Sequence, residues 1–424
     1  MPPVGFNLTS MNNTTTTKQV PKLKPLAFYQ QVSLGADPEF FFSKGGTVVG
    51  SEKVLPKQGL VGKFVRDGVQ AELNPNASTC RALLGNEIHQ CFYRLYHDII
   101  SNSPDLNIEV ASCVKISQEE LDSLSEKSKV FGCAPSKNVY NVEGDKTSKI
   151  TVNPKKYLRR SAGGHIHLGN TYKTYLDPKH GNQYNGDYHF AGAYNIGTRT
   201  EKAFTENLET MVKIMDIIVG NTCVLIDRDP SNKERRKVYG KAGEHRKKDY
   251  GFEYRTLSNF WLRSYQLMSF VMGLSRMAVL LVEQSVKGND YVKAIFDAVD
   301  MDDVVKAINE NDFDLAYDNF KKIEPIILSI TNDDFYVGNF PLHPKTIKYF
   351  HYFVSKGMDY WFKENPLIHW IRLPDGHGIG WESFLQKTVH DDLKKQGIDL
   401  NDPKNLVMKD PSLPRVELET FAVT

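Results

Sequence analysis

Between residues 32 and 260 the chain repeatedly alternates apolar and ionisable side chains over short stretches. A strand puts every second side chain on the same face. Stretches 37–42, 69–74, 106–116, 164–169 and 252–256 therefore read as strands, with 46–49 closing a hairpin on the first around Ser43-Lys44-Gly45-Gly46. Spacings of three and four mark helices instead. Over 81–101 they align Leu84, Ile88, Cys91, Leu95 and Ile99, and similar spacing predicts helices over 203–227 and 258–286. Beyond residue 290 the pattern is mainly helical, over 292–309, 314–330, 344–364 and 381–396. No internal repeat is visible.

Other stretches lack a period. Residues 1–30 are rich in Thr, Asn and Pro and contain no acid, which predicts a disordered arm. Residues 117–160 are polar and irregular. Residues 170–200, rich in Gly, Tyr, Asn and Asp, read as a long excursion, either a lid or a surface insertion. The chemistry-bearing stretches all precede residue 260. We therefore divide the chain into an arm (1–30), a catalytic domain (31–290) and a mainly helical extension (291–424) for packing, docking or specificity.

Composition narrows the class only a little. The 424 residues, 40% hydrophobic and 25% charged, suit a soluble globular protein. A net charge of +2 is too balanced for a nucleic-acid coat or a polybasic membrane binder. Five widely spaced cysteines without C-x-x-C argue against a disulfide framework or a thiolate zinc site and favour a reducing, cytoplasmic home. Arg263, Gln266 and Arg276 interrupt the apolar stretch 262–282, so it reads as a buried helix, not a membrane span. No apolar leader is visible at the N-terminus.

The alternating stretches carry the chemistry. Asp37 and Glu39 share a strand face, and two buried carboxylates that close need a compensating cation. Magnesium or manganese suits such oxygen ligands. The plain alternative is a solvated face, which the Phe40-Phe41-Phe42 run argues against. Glu72 lies on a strand opened by Gly68 and closed by Pro75. His165 and His167 share a face within a glycine-flanked strand and can serve a metal or simply be structural. In 234–261, Arg235, Arg236, Lys237, Lys241, Arg246, Lys247 and Lys248 surround a glycine-containing loop. Arginine grips phosphate bidentately. A solvated basic loop or a nucleic-acid patch are the alternatives, but Glu253 and Arg255 follow on one face, a metal-binding acid beside a phosphate-binding cation. The chain has no P-loop, G-x-G-x-x-G, G-x-S-x-G or H-E-x-x-H.

In their order, Gly35-Ala36-Asp37-Pro38-Glu39-Phe40, Ala71-Glu72-Leu73-Asn74-Pro75, Gly163-Gly164-His165-Ile166-His167-Leu168-Gly169 and 250–261 (YGFEYRTLSNFW) resemble the glutamine synthetase and glutamate–cysteine ligase superfamily. Within it they resemble the phage-type carboxylate–amine ligases, type 2. The resemblance implies an α+β fold with a curved, mainly antiparallel sheet whose concave face holds ATP and divalent ions. It implies Asp37, Glu39, Glu72, His165 and Glu253 as ligands of Mg²⁺ or Mn²⁺. Arg236, Arg246, Arg255 and His167 would meet the nucleotide. Arg255 and Glu253 would be catalytic, and Asp67, just before the Glu72 strand, is the candidate base that the reaction needs. Where the synthetases carry a further Glu this chain has Cys80, so one metal site would be incomplete or would use Glu87.

The implied reaction joins a small-molecule or peptide carboxylate to an amine through an acyl phosphate, in the host cytoplasm if the chain is phage-encoded. Completion of the site in a homo-oligomer stays open. Two other functions remain: a metal-dependent hydrolase built on His165 and His167, and a non-catalytic phage structural protein that kept the fold.

Overall fold

The computed structural model describes residues 32–57, 63–78, 81–131, 136–141, 147, 152–170, 206–285, 291–331, 365–372 and 394–395. The excursion at 170–200, the N-terminal arm, Cys80 and the predicted helices at 344–364 and 381–396 fall almost wholly outside these residues.

In chain order the strands are β1 (Val32–Ala36), β2 (Glu39–Lys44), β3 (Thr47–Val49), β4 (Phe64–Asp67), β5 (Gln70–Leu73), β6 (Leu106–Glu109), β7 (Cys113–Lys115), β8 (Lys137–Asn138), β9 (Arg159–Ser161), β10 (Ile166–Asn170), β11 (Glu244–Lys248) and β12 (Gly251–Tyr254). They form an α+β fold of antiparallel sheets packed against helices. One sheet runs β1-β10-β12-β11-β8. A second runs β3-β2-β5-β4, with β6 also on β2, and β7 pairs β9 separately.

The predicted strand at 37–42 is divided at its start. Ala36 ends β1 in the first sheet and Glu39 begins β2 in the second. Pro38, which lacks an N–H, sits at the joint, where a ladder donor would otherwise be needed. Its carbonyl still accepts from Leu73 N at 3.0 Å. Asp37 and Glu39 are thus near neighbours that serve different sheets.

Behind β2, β4 and the helix Arg81–Asp98, the rings of Phe40, Phe64 and Phe92 meet, with centroids 5.7–6.1 Å apart. This is the apolar face that alternation predicts, and Glu39 and Glu72 occupy the other face. The helix Tyr265–Ser285 crosses the core, and its apolar window Tyr265–Val282 is entirely buried, as a core helix should be. Cys91, Cys113 and Cys223 are free and buried.

Three predicted elements break where backbone groups find other partners. Stretch 106–116 splits into β6 and β7 because Val110 O accepts from Arg263 Nη2 at 2.7 Å and Ser112 binds Asp229 and Ala162. Stretch 258–286 becomes a 3₁₀ turn, Asn259–Arg263, and then the long helix. Ser264 between them is extended, and its Oγ accepts from Leu267 N at 3.2 Å. Stretch 292–309 becomes Tyr291–Ala298 and Met301–Glu310, because Asp300 caps the second through Asp302 N at 2.8 Å. The same hydrophobic core continues past residue 290 through Ile295, Val304, Ile308, Phe320 and Ile327 to Trp370. Trp370 Nε1 donates to Leu262 O at 2.6 Å, and its carbonyl meets His89 Nδ1 at 2.6 Å.

Candidate active site

Strand register brings the distant stretches together. In the first sheet Gly35 pairs His167, His167 pairs Glu253, and Glu253 pairs Arg246, all on one face. Asp37 just past the end of β1 closes this row. Asp37, His167 and Glu253 offer ligand atoms within 4.8 Å of one another, a first group. His165 stands behind it, its Nδ1 3.3 Å from Asp37 Oδ1 and 3.6 Å from Glu253 Oε1. His167 Nε2 lies 3.1 Å from Asp37 Oδ2. Gly163 makes room for His165: a Cβ there would fall 2.2 Å from Nε2. Tyr250 stacks on His167 and its hydroxyl contacts Nδ1.

The second sheet builds a second group. Glu39 pairs directly with Glu72, and β4 places Asp67 on the same face. Glu39, Asp67 and Glu72 again fit within 4.8 Å. Asn74 Nδ2 donates to Glu72 Oε1 at 2.9 Å. Glu39 Oε2 accepts from Gly163 N and from the Tyr239 hydroxyl, each at 2.6 Å.

Cations are distributed unequally. Buried Glu253 receives Arg255 Nη1, Arg246 Nη1 at 3.2 Å and Lys248 Nζ at 3.1 Å. Burial pushes Glu253 up, as does Asp37, but His165, His167 and Arg255 outweigh both and hold it at about 2. Burial likewise opposes the Asp37 charge, yet His167 and His165 hold its carboxyl well below the ordinary range. For His167, burial disfavours protonation but the Asp37 charge prevails and raises it. His165 goes the other way, to about 4, through burial and Arg255.

The second group lacks such compensation. Burial and the Asp67 charge push Glu39 to about 8 despite its hydrogen bonds and Arg255. Burial and the charges of Asp37 and Glu39 raise Glu72 to about 9. Asp67 is also raised, chiefly by burial.

All of Asp37, Glu39, Glu72, His165, His167, Glu253, Arg246 and Arg255 thus converge, although in two groups. Asp67, expected as a base, stands among the second group's carboxylates. Glu87 is not in that group; it faces Lys63 at 3.8 Å from its helix. The structure does not bring Arg236 to Arg246 and Arg255. Arg236 is buried, and its Nη1 donates to Asn311 Oδ1 at 3.0 Å. Arg235 is buried too, capping the carbonyls of Arg255, Thr256 and Leu257 at 2.7–3.0 Å. Gly240, with φ +82°, lets it through, since a Cβ would fall 2.2 Å from Nη1. Of the basic stretch, Arg235 and Arg236 therefore turn inward, Arg246 and Lys248 reach Glu253, and Lys237, Lys241 and Lys247 stay exposed. Tyr239 and Tyr250 were not anticipated, because aromatic loop residues carry no periodic signal. Lys248 was identifiable, since it shares a β11 face with Arg246.

The groups fit divalent ions. One is all oxygen and the other combines oxygen with imidazole. Buried Asp37 Oδ1 and His165 Nε2 make no hydrogen bond among the described residues.

A family model described as phage phiEco32-like COOH.NH2 ligase-type 2 matches residues 183–327. That stretch includes the β11–β12 hairpin with Arg246, Glu253 and Arg255, and it crosses residue 290. The match supports a likeness to the phage-type carboxylate–amine ligases and, in general terms, a carboxylate–amine ligase. No curated protein and no solved structure matches significantly.

Proposed function

We propose that this carboxylate–amine ligase is ATP-dependent and forms an amide through an acyl phosphate. The observation that carries the proposal is the pair of ligand groups at the joint between two sheets, with Arg255 in the electrostatic field of both. A substrate carboxylate attacks the γ-phosphate of ATP and ADP leaves. An amine then attacks the acyl carbon and phosphate departs.

Mg²⁺ or Mn²⁺, held by Asp37, His167 and Glu253 with His165 behind them, and by Glu39, Asp67 and Glu72, would offset the charge that keeps two anions apart. Arg255, Arg246 and Lys248, gathered on Glu253, can turn toward the transferring phosphoryl group and stabilise its equatorial charge. The amine must lose a proton to attack. Asp67 has two carboxylate oxygens; one can face an ion while the other is the proposed acceptor. The free buried cysteines suit the proposed cytoplasmic setting.

The test is ADP release with Mg-ATP over a panel of amino acids, peptides and amines. The account expects release that depends on both a carboxylate and an amine. Product formation that survives complete removal of nucleotide would instead favour a metal-dependent hydrolase.

A further inference from the structure

One side chain outside both ligand groups touches Glu39 of the second and His165, which stands behind the first. Tyr239 lies in the loop between the helix Asn232–Arg235 and β11 and is almost fully buried. Its hydroxyl donates to Glu39 Oε2 at 2.6 Å, the same oxygen that Gly163 N reaches. Two donors on one oxygen fix the rotation of a carboxylate, and hence where its other oxygen points. The Tyr239 ring lies 4.7 Å from the guanidinium carbon of Arg235 and 5.7 Å from that of Arg255. It also meets the His165 ring edge-on, at 5.8 Å and 66°.

The residue is held from behind. Tyr239 N donates to Arg235 O at 3.1 Å, while the Arg235 guanidinium clasps the carbonyl of Arg255 itself. Arg235, Tyr239 and Arg255 close on one another, and Glu39 joins them through the Tyr239 hydroxyl, so moving the ring disturbs a carboxylate and a guanidinium together.

We infer that Tyr239 is a positioning residue, whose hydroxyl aims Glu39 at the ion of the Glu39–Asp67–Glu72 group and whose ring supports Arg255. The inference rests on the proposed metal reading. Partners of this kind, one step removed from a metal, typically change metal affinity or activity by about 10- to 100-fold when lost.

Mn²⁺ titration of the nucleotide-free protein, followed by the paramagnetic resonance of free Mn²⁺, separates the parts. Tyr239→Phe removes the hydroxyl and keeps the ring. It should weaken Mn²⁺ binding by about 10- to 100-fold, and the Mg²⁺ concentration for half-maximal ADP release should rise by a like factor while the KM for ATP stays near wild type. Tyr239→Leu should lower kcat further, because Arg255 loses its support. A fluorinated tyrosine at 239 keeps the donor and should retain near-wild-type Mn²⁺ affinity, which a failure of Tyr239→Phe through misfolding cannot imitate. If wild type binds Mn²⁺ and Tyr239→Phe binds it equally well, the role of Tyr239 is refuted and the metal reading stands. No Mn²⁺ bound by wild type would overturn both.

Discussion

The Asp37–His167–Glu253 group and the Glu39–Asp67–Glu72 group present similar ligand atoms in opposite electrical surroundings. In the first, Arg246, Lys248, Arg255 and two imidazoles crowd two carboxylates, and both acids are held ionised. In the second, three carboxylates face each other under burial, and Glu39 and Glu72 rise to about 8 and about 9. A buried charge needs a partner or a proton. The first group has partners, and they are of the kind a phosphate could draw away. The second has protons, which a divalent ion can displace. The two groups are therefore suited to different tasks, one to receive an ion with an anion, the other to hold an ion by itself.

The largest effects should come from breaking each group at its centre. Glu39→Ala should abolish nucleotide turnover and nucleotide-free Mn²⁺ binding while the protein stays folded. Arg255→Ala should cut ADP release by about 100- to 1000-fold yet leave that Mn²⁺ binding measurable. Equal loss of Mn²⁺ in both variants would erase the distinction between the groups.

Next in size is a proton linkage. Ion binding to the second group should release protons, so Mn²⁺ affinity should climb through neutral pH and level off above about 9, the Glu72 value. Calorimetry in buffers of different ionisation enthalpy checks this. The stability sign follows from the same shifts. Native Glu39 and Glu72 retain protons that the unfolded chain releases, so metal-free stability should fall from the ordinary carboxylate range up to about pH 8–9. Asp37 and Glu253 act oppositely: their contribution is present above the ordinary range and is lost as pH falls toward about 2 for Glu253. Mn²⁺ should therefore raise the melting temperature most at alkaline pH.

A smaller change is expected from Lys248→Ala. It removes one of the three cations on Glu253 and should raise the KM for ATP by about 10-fold or less, in line with one partly exposed charge. The Mn²⁺ affinity of the nucleotide-free protein should not move.

The smallest effect on the site should come from its back face. Asp216, raised to about 7 by burial despite hydrogen bonds from Tyr254 and Tyr140, is far from either group in role. Asp216→Asn should flatten the pH dependence of stability below about 7 and leave metal binding intact.

Much of this site was legible in the chain, for a definite reason. Period-two alternation tells which side chains share a face, and it correctly paired His165 with His167 and Glu253 with Arg255. It also predicted the aromatic face of β2. What alternation cannot tell is which strands become neighbours, because that depends on register between segments far apart. So Pro38 was read as part of a strand, when it marks the passage from one sheet to the other. Asp67 was expected just before the Glu72 strand, whereas it ends β4, which pairs with β5 and brings it to Glu72. Arg236 was expected at the nucleotide from the resemblance, but it lies one residue past a short helix that turns it inward to Asn311. Periodicity also ran through Ser264 and Asp300, whose caps end one helix and start the next.

The central claim is that two distinct ion positions flank Arg255. Crystals soaked with Mn²⁺ and a non-hydrolysable ATP analogue test it most directly through anomalous scattering. The account predicts one peak among Glu39, Asp67 and Glu72, a second among Asp37, His167 and Glu253, and the γ-phosphate against Arg255. Nucleotide bound elsewhere, with no peak at either group, would contradict it.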